Sequence, residues 1–556
     1  MINRRTGEAM RELDRSEINS IENTLDPIVS RHEILGIVAY GSQVCGYATN
    51  GSDYDVIVLV KPFSQRIKYY YMKGDAECSA LVVEPRSFEN DCRKSTLGEF
   101  VAGRLLNPFY TIRGESYVKE NEVAYKRRVI IEGLSEAYAD NSEFASEIIF
   151  PLRFFLFEKL RKRAVIYPPV VYSFSRTYSE ELLKENLDHS LRGFRFAAVE
   201  LMQEGIIEFD EENDLVSIPL NKFHAGWSAR IEVLASYTNK SIRQYAAHGY
   251  AGRVMPSVVG KEVISKISRS KRSGKLPDYI VNPKNSWNIS FGKLFVTSQD
   301  WLSELIEYLK LDRGSCKVTN NSLGEFYNSA GFYTFQDNCK NISVAVKRYH
   351  DIKGMKWGLL NVWSLRAANF TTNPMERIFR EYRASRILRE FGLNTAEVLA
   401  VFLDQKMIVT RFVDGKDFSK LESAYLDGES DDLSPFASFG KDLAIMHNHN
   451  FCMGDTKPSN AIMSSNDSKI YFTDLEQAQP EGNKTWDVAE FIYYSARLTM
   501  KEERVRKLIG AFADGYNQLA DDRSIIRKSA TFRYRAPFQA FIAPNIMNGL
   551  RQDLKK

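Results

Sequence analysis

The stretch Gly454-Asp455-Thr456-Lys457-Pro458-Ser459-Asn460, with Asp474 after the apolar run Ile470-Tyr471-Phe472, decides the fold of the C-terminal half of this chain. Aspartate and asparagine side chains offer the hard oxygen ligands that Mg²⁺ prefers in proteins. In one loop and just beyond a strand, such side chains can bind a metal ion together with a polyphosphate. The pattern therefore predicts nucleoside triphosphate chemistry at this end of the chain.

Two upstream residues complete this pattern. Lys347 ends the strand-like run Val344-Ala345-Val346, and Glu381 lies on a predicted helix, with Glu376 as the alternative. The set resembles the atypical protein kinases of the RIO type and the small archaeal-style kinases, and more distantly the aminoglycoside phosphotransferases, over residues 315–515. The resemblance implies that Lys347 binds the phosphates of ATP and that Glu381 is its ion-pair partner.

The same resemblance implies a role for each residue of the loop. Asp455 would orient the acceptor hydroxyl, and Lys457 would steady the transferred phosphoryl group. Asn460 and Asp474 would bind Mg²⁺ or Mn²⁺. Asp487, on the next helix, would anchor the loop.

The C-terminal pattern also departs from that of standard protein kinases. No G-x-G-x-x-G loop precedes Lys347; Gly331 is the nearest candidate for a phosphate-binding glycine and Gly324 is another, and both could equally be turn residues. Thr473-Asp474-Leu475-Glu476 stands where Asp-Phe-Gly would stand, and no Ala-Pro-Glu element follows. These departures argue against a Ser/Thr protein kinase with a peptide-binding groove.

A second pattern lies near the N-terminus, where Gly41-Ser42 is followed after ten residues by Asp53-Tyr54-Asp55. Residues two apart on a strand point to the same side, so Asp53 and Asp55 can share metal ions. Gly41 lets the backbone approach a triphosphate and Ser42 can donate a hydrogen bond to it. These features predict a second nucleotide site.

This arrangement, with apolar strands on both sides, resembles the DNA polymerase β-like nucleotidyltransferases over residues 30–90. The resemblance implies that Asp53 and Asp55 are catalytic metal ligands that align an acceptor hydroxyl with an α-phosphate. It also implies a third carboxylate on a neighbouring strand. Glu77, before the apolar run 80–83, is favoured, and Glu84, after it, is the alternative.

The predicted fold is α+β and multidomain. A nucleotidyltransferase α/β domain covers residues 1–95, and a helical domain with a winged-helix-like end covers 96–256. A basic linker covers 257–300, and a two-lobed kinase-like domain covers 301–556, with its lobes divided near residue 413. Strands are predicted at 34–39, 56–60 and 81–83, and a hairpin at 206–218.

Composition indicates an ordinary globular protein rather than a disordered one, with 44% hydrophobic and 26% charged residues. The six cysteines lack C-x-x-C spacing. This pattern predicts neither a zinc site nor a disulfide-linked partner, and it fits the cytoplasm. The sequence has no run of about 18 apolar residues, so no membrane partner is expected.

The acceptor is left open by the sequence. RNA, such as tRNA or rRNA, is the favoured partner, because the chain has a winged-helix-like piece and two basic stretches, at 153–163 and 257–287. An amphipathic helix with a basic outer face and a solvated hinge are the alternatives for these stretches. His447 and His449, before the catalytic loop, are expected to brace it rather than to bind a metal.

These observations favour a bifunctional Mg²⁺-dependent transferase that uses ATP or another NTP at both sites. A small-molecule or protein acceptor is the alternative to RNA. A nucleotide-sensing protein, with one or both sites non-catalytic, is the alternative to an enzyme.

Overall fold

The computed structural model describes residues 12–555 apart from 141–143, 145–146, 168–169, 220–285, 313, 315, 324–327, 338–339, 351–370, 372 and 498. The chain divides into two compact units, Met1–Lys284 and Asn285–Lys556. Each unit combines sheet and helix, which confirms the predicted mixed, multidomain class. Within the described residues, no helix has the length and apolar character needed to cross a bilayer.

The first unit begins with an α/β layer and continues with helices. Its elements are α1 (Arg15–Val29), β1 (Glu33–Tyr40), β2 (Tyr54–Lys61), β3 (Ile67–Lys73), β4 (Glu77–Val83), α2 (Pro85–Lys94), β5 (Phe109–Arg113), α3 (Glu115–Asp140), β6 (Ile148–Pro151), α4 (Leu152–Ile166), α5 (Val170–Thr177), α6 (Leu183–Gln203), β7 (Glu208–Asp210) and β8 (Leu215–Ser217).

The main sheet of this unit has five strands in the order β3-β4-β2-β1-β5. β2 and β4 are parallel, whereas the other neighbours are antiparallel. Alternate apolar residues of β1, β2 and β4 pack on one face beneath α1, with Ile21 and Leu25 of that helix fully buried. Burial of these side chains is the main force that holds the layer together.

The predicted domain boundary at residue 95 is crossed by the main sheet, because β5 pairs with β1. Sequence analysis missed β3 and β5, since neither has the continuous apolar run that marks β2. Side chains of the helical part also hold the α/β part. The Asn186 amide of α6 donates to the Cys45 carbonyl at 3.1 Å, and the Tyr47 hydroxyl lies 2.9 Å from that of Ser173.

The helical part ends in the predicted hairpin. α6 is followed by β7 and β8, which pair with each other, and β8 also pairs with β6. A helix followed by a hairpin is common, so the winged-helix likeness stays a prediction.

The second unit has a strand-rich part followed by a helical part. Its elements are β9 (Ser286–Ile289), β10 (Lys293–Phe295), α7 (Trp301–Tyr308), β11 (Lys317–Leu323), β12 (Asn328–Gln336), β13 (Asn341–Tyr349), α8 (Pro374–Glu390), β14 (Asn394–Thr395), β15 (Val398–Phe402), β16 (Met407–Arg411), β17 (Gly415–Asp417), α9 (Phe418–Asp427), α10 (Ser434–Asn448), β18 (Phe451–Cys452), β19 (Ala461–Ser464), β20 (Ile470–Phe472), β21 (Gln479–Pro480), α11 (Lys484–Ser495), α12 (Glu502–Leu519), α13 (Ser524–Ser529), α14 (Phe532–Arg535) and α15 (Pro544–Asp553).

The strand-rich part of this unit contains a sheet in the order β11-β12-β13-β16-β15-β10-β9. Its strands and α7 enclose one apolar core, and the helices from α9 onward enclose a larger one around Phe439, Phe491 and Phe512. One core is thus built mainly on strands and the other mainly on helices, and the division into two kinase-like lobes stays a prediction.

The predicted linker ends earlier than residue 300. β10 pairs in parallel with β15, so residues 293–295 belong to the sheet of the second unit. Short strands are hard to find from sequence when, as here, they pair with a segment about 100 residues away. Most of the remaining linker lies outside the described residues.

Candidate functional site

Lys347, on β13, lies at the centre of a cluster of carboxylates. Its Nζ is 2.7 Å from Oε2 of Glu381 on α8 and 3.1 Å from Oε2 of Glu476, and it also forms an ion pair with Asp474. Burial alone would lower the pKa of Lys347, but Asp474 and Glu381 outweigh it and hold that pKa well above its usual value. The lysine is therefore a fixed positive charge.

The geometry selects Glu381 over Glu376 as the partner of Lys347. The Glu376 carboxylate accepts hydrogen bonds from Thr371 and Arg380 instead. The Tyr349 hydroxyl, also on β13, donates to the same Glu381 oxygen, Oε2. Glu381 is thus held by two side chains of one strand.

Three carboxylates meet at this point. One oxygen each of Glu381, Asp474 and Glu476 lies within 4.8 Å of the other two. Asp474 follows β20 and has a left-handed backbone, with φ of 55°. An all-oxygen set of this kind fits a hard cation such as Mg²⁺.

Sequence analysis missed Arg377 and Glu476. Arg377, on α8, is 1% exposed, and its Nη2 donates to both carboxylate oxygens of Glu476 at 2.7 and 2.8 Å. The available signal was the acidic residue in Asp474-Leu475-Glu476, where standard kinases have glycine. This pair joins α8 to the segment that carries Asp474.

Asp455, Lys457 and Asn460 lie close together in one loop. Lys457 Nζ lies 2.7 Å from Oδ1 of Asp455, and the Asn460 amide donates to the Asp455 carbonyl at 2.9 Å. The backbone N–H of Thr473 donates to the Asn460 carbonyl at 2.9 Å. The loop is therefore fastened to the end of β20, next to Asp474.

Asp487, on α11, anchors this loop. It is fully buried and accepts the backbone N–H groups of Met453 at 2.6 Å and Gly454 at 2.9 Å. The His447 ring lies 3.3 Å from Asp487 and 2.8 Å from the Tyr516 hydroxyl. Although Cys452 is near enough to complete a set of metal ligands, these contacts match the expected bracing role.

His449 takes a different place from His447. Its ring stacks on Phe391, with centroids 4.1 Å apart and planes 10° apart. It packs against the end of α8. Within the described residues, the His449 side chain makes no hydrogen bond to the loop at 454–460.

Gly331 lies within a strand and not in a turn. It is in β12, where it faces Val346, and its neighbour Ala330 faces Lys347. The alternative glycine, Gly324, lies outside the described residues. Gly331 is therefore close to Lys347 in register but is not the tip of a phosphate-binding loop.

In the first unit, Gly41 and Asp55 come together at the ends of β1 and β2. Gly41 has φ of +83°, and a Cβ atom there would lie 2.5 Å from Oδ2 of Asp55. Only glycine fits both the backbone and the close approach. The turn that starts at Gly41 includes Ser42, whose carbonyl accepts from the N–H of Tyr47 at 3.2 Å.

The register of the parallel strands separates the two candidates for the third carboxylate. Asp55 is level with Ser79 on β4, so Glu77 is level with Asp53 at the start of that strand. Glu84 lies beyond the other end of β4, where it accepts from Ser87. Only Glu77 stands near the two aspartates in register.

Glu77 is nevertheless engaged elsewhere. Its carboxylate is exposed and lies 2.9 Å from Lys73 Nζ on β3. In the described part of the chain, the acidic, histidine and cysteine groups spaced for a metal ion do not include Asp53, Asp55 and Glu77. The structure thus brings Gly41 and Asp55 together but does not gather all three carboxylates.

Arg104 is a residue of this region that sequence analysis did not find. It donates to the Tyr40 hydroxyl at 2.9 Å and to the Tyr69 hydroxyl at 2.6 Å, and its charge interacts with Asp55. It lies in a short 3-10 helix, Ala102–Leu106, after α2, and it belongs to no sequence motif. Arg104 places a positive charge beside the acidic pair.

The basic stretch on α4 is largely neutralised within the fold. Lys159 and Arg163 are buried and contact Glu99, while Lys162 pairs with Glu136 and Arg161 with Glu158. These residues therefore do not form the expected basic outer face, because four of the five basic side chains between residues 153 and 163 have acidic neighbours. This removes one of the three observations that favoured RNA.

Comparisons with known proteins give little beyond this geometry. No protein-family model matches the chain, and no curated protein matches it. Among solved structures, an ethanolamine kinase of Plasmodium vivax is 12% identical, with a TM-score of 0.28 over 43% of this chain and 81% of that one. The PknI kinase domain of Mycobacterium tuberculosis is 13% identical, with a TM-score of 0.22 over 44% of this chain and 98% of that one. At these TM-scores neither likeness bears on activity, and the case for each site rests on its own residues.

Proposed function

We propose that the second unit transfers the γ-phosphoryl group of ATP to a hydroxyl. The observation that carries this is the meeting of Lys347, Glu381 and Asp474 from three separate elements. A lysine paired with a helix glutamate, beside an aspartate that follows a strand, is the arrangement that binds ATP phosphates in kinase-like enzymes. The predicted loop residues Asp455 and Asn460 precede Asp474 in the chain.

The residues present fit Mg²⁺ or Mn²⁺. Asp474, with the Asn460 side chain or the nearby carboxylate of Glu476, would hold the ion. When bound, the ion neutralises charge on the phosphates. The chain's own contribution is positional: Lys347 binds phosphate oxygens, and Asp455 accepts a hydrogen bond from the acceptor hydroxyl and receives its proton.

Lys457 contributes a positive charge to this scheme. It pairs with Asp455 in the structure, and although burial would lower the pKa of Lys457, Asp455 and Glu490 outweigh that effect and raise it. It therefore stays protonated and can stabilise negative charge on the transferred group.

The experiment that tests this proposal is ATP turnover by purified protein with Mg²⁺ and γ-labelled ATP, presented with RNA, protein extract and small polyhydroxylated compounds in parallel. Asp455→Ala is expected to lower transfer by about 10²–10⁴-fold, the usual contribution of a general base. Arg411→Met, a change of an exposed ion-paired residue in the same unit, serves as the control. Transfer that survives in Asp455→Ala would remove this residue from the mechanism.

For the first unit we propose nucleotide binding at Gly41, Ser42, Asp53 and Asp55, with nucleotidyl transfer as its chemistry. The contact between Gly41 and the Asp55 carboxylate favours this, because it brings a tight turn against an acidic group. α-Labelled ATP should label an acceptor in a reaction lost in Asp55→Ala and kept in Asp455→Ala. Binding without transfer would favour the sensing alternative, which the pairing of the exposed Glu77 with Lys73 also supports.

RNA stays a proposed acceptor, beside small molecules and proteins. What supports it now is the winged-helix-like piece and the basic stretch at 257–287, most of which lies outside the described residues. If RNA is the acceptor, we expect the protein to bind RNA with an affinity that falls as the salt concentration rises.

A further inference from the structure

A buried glutamate on α11, Glu490, has entered the scheme so far only through its charge near Lys457. Glu490 is 2% exposed, and its Oε2 accepts the backbone N–H of Thr456 at 2.7 Å. Thr456 lies directly between Asp455 and Lys457. A buried carboxylate costs several kcal/mol of desolvation unless it is well bonded, so its place against this loop calls for an explanation.

Glu490 works beside Asp487, three residues earlier on the same face of α11. Asp487 accepts the backbone N–H groups of Met453 and Gly454, and Glu490 accepts that of Thr456. The two carboxylates therefore hold the main chain on both sides of Asp455. Residues three apart on a helix are neighbours, which lets one rigid element carry both acceptors.

We propose that Glu490 is a positioning residue for Asp455 in the phosphoryl transfer assigned to the second unit. It fixes the peptide bond between Asp455 and Thr456, and through that peptide it sets where the Asp455 carboxylate points. This inference rests on the proposed function of that unit. Displacement of a catalytic group by about 1 Å lowers rates by about 10²-fold.

The charges around Glu490 agree with this role. Asp455, Lys457 and Asp487 are the charged groups that act on it, and burial together with Asp455 raises the pKa of Glu490. The hydrogen bond from Thr456 needs only an acceptor oxygen, which a neutral side chain also supplies. Glutamine at this position should therefore keep the function.

The test is steady-state ATP turnover by the full chain with Glu490→Ala and Glu490→Gln. Glu490→Ala is expected to lower kcat by about 10- to 100-fold, with KM for ATP unchanged because Lys347, Glu381 and Asp474 are untouched. Glu490→Gln is expected to restore kcat to within about threefold of the parent, since one amide oxygen still accepts the Thr456 N–H. Glu503→Ala, an exposed glutamate of α12 that pairs with Lys507, is the matched control.

The outcomes separate the inference from the proposed function. If Asp455→Ala retains parental turnover, or the parent has none, the proposed function fails and the inference with it. If turnover depends on Asp455 but Glu490→Ala keeps kcat, or changes KM alone, Glu490 does not position the aspartate.

Thermal unfolding of each variant accompanies the assay, and turnover is calculated per folded molecule. If Glu490→Ala does not fold, a kcat in Glu490→Gln lowered as far as in Asp455→Ala would overturn the inference.

Discussion

In the second unit each acidic side chain of the candidate site lies against lysine, arginine or backbone N–H groups, whereas in the first unit Asp55 lies against the Gly41 turn and has Arg104 as a charged neighbour. Lys347 and Arg377 tie together segments about 100 residues apart in the chain. Gly41 instead directly follows β1, whose last residue, Tyr40, is paired with Asp55 on β2. The comparison teaches that the second site is held mainly by buried charges and that the first also depends on the shape of the backbone at Gly41, so the two should fail in different ways.

The largest expected effect is on the charge-held site. Arg377→Met leaves the buried Glu476 with one cation fewer, and breaking a buried ion pair costs about 3–5 kcal/mol. Chemical denaturation of the variant should show this loss in the second unit's transition. Arg411→Met, which removes an exposed pair with Glu397, should cost under about 1 kcal/mol.

The double variant Arg377→Met/Glu476→Gln sharpens the same point. Removal of both charges should recover part of the lost stability, because no uncompensated carboxylate is left. If the loss of stability in the double variant equals the sum of the losses in Arg377→Met and Glu476→Gln alone, the two residues do not act as a pair.

A pH-dependent effect comes next in size. Burial raises the pKa of Glu422, on α9, to about 7, although Ser495 and Arg497 oppose the shift. The folded state then binds more protons than the unfolded state, so stability is lost as pH rises from about 4.5 to 7, by about 3 kcal/mol at most. Glu422→Gln should flatten this dependence in denaturation curves between pH 4 and 8.

The exposed Glu429 offers the control for that experiment. Glu429→Gln should leave the slope of stability against pH as it is in the parent. An unchanged slope in Glu422→Gln would show that this side chain is not protonated on folding.

A smaller effect is expected where backbone shape holds the site. Gly41→Ala imposes about 1–2 kcal/mol of left-handed strain and pushes Cβ to within 2.5 Å of the Asp55 carboxylate. We expect loss of nucleotide binding by the first unit, measured with a fluorescent ATP analogue, while Asp455-dependent transfer continues.

Gly51 supplies a matched comparison for Gly41. It has φ of +86° but has nothing within 4 Å of the added Cβ. Gly51→Ala should therefore show the strain without the loss of nucleotide binding. Equal binding losses in the two variants would mean that the contact with Asp55 is irrelevant.

The smallest effect is expected at the partly exposed end of the α4 basic stretch. Lys162→Ala removes a partly exposed pair with Glu136 and should change the free energy of unfolding by under about 1 kcal/mol. Lys159→Ala, which leaves Glu99 and Glu132 buried, should cost about 3–5 kcal/mol. A clear drop in RNA affinity in Lys162→Ala would return this stretch to the list of RNA contacts.

Much of the second site could be predicted from sequence because its signals are local. The five-residue offset from Asp455 to Asn460, and the strand before Asp474, report which side chains share a loop or a strand end. Glu381 over Glu376 could not be decided this way, since both lie on α8 and only the packing of that helix against β13 shows which one faces Lys347.

The tertiary structure alone decided the partners of the buried charges. Arg377 with Glu476, Glu490 with the Thr456 N–H, and Arg104 beside Asp55 join segments that no short motif connects. It also decided that the α4 lysines and arginines face acidic neighbours rather than solvent. Sequence determines periodicity, turn chemistry and short spacings, because these depend on local backbone geometry. Which distant charge meets which depends on how apolar faces pack, and that is settled only when the whole chain has folded.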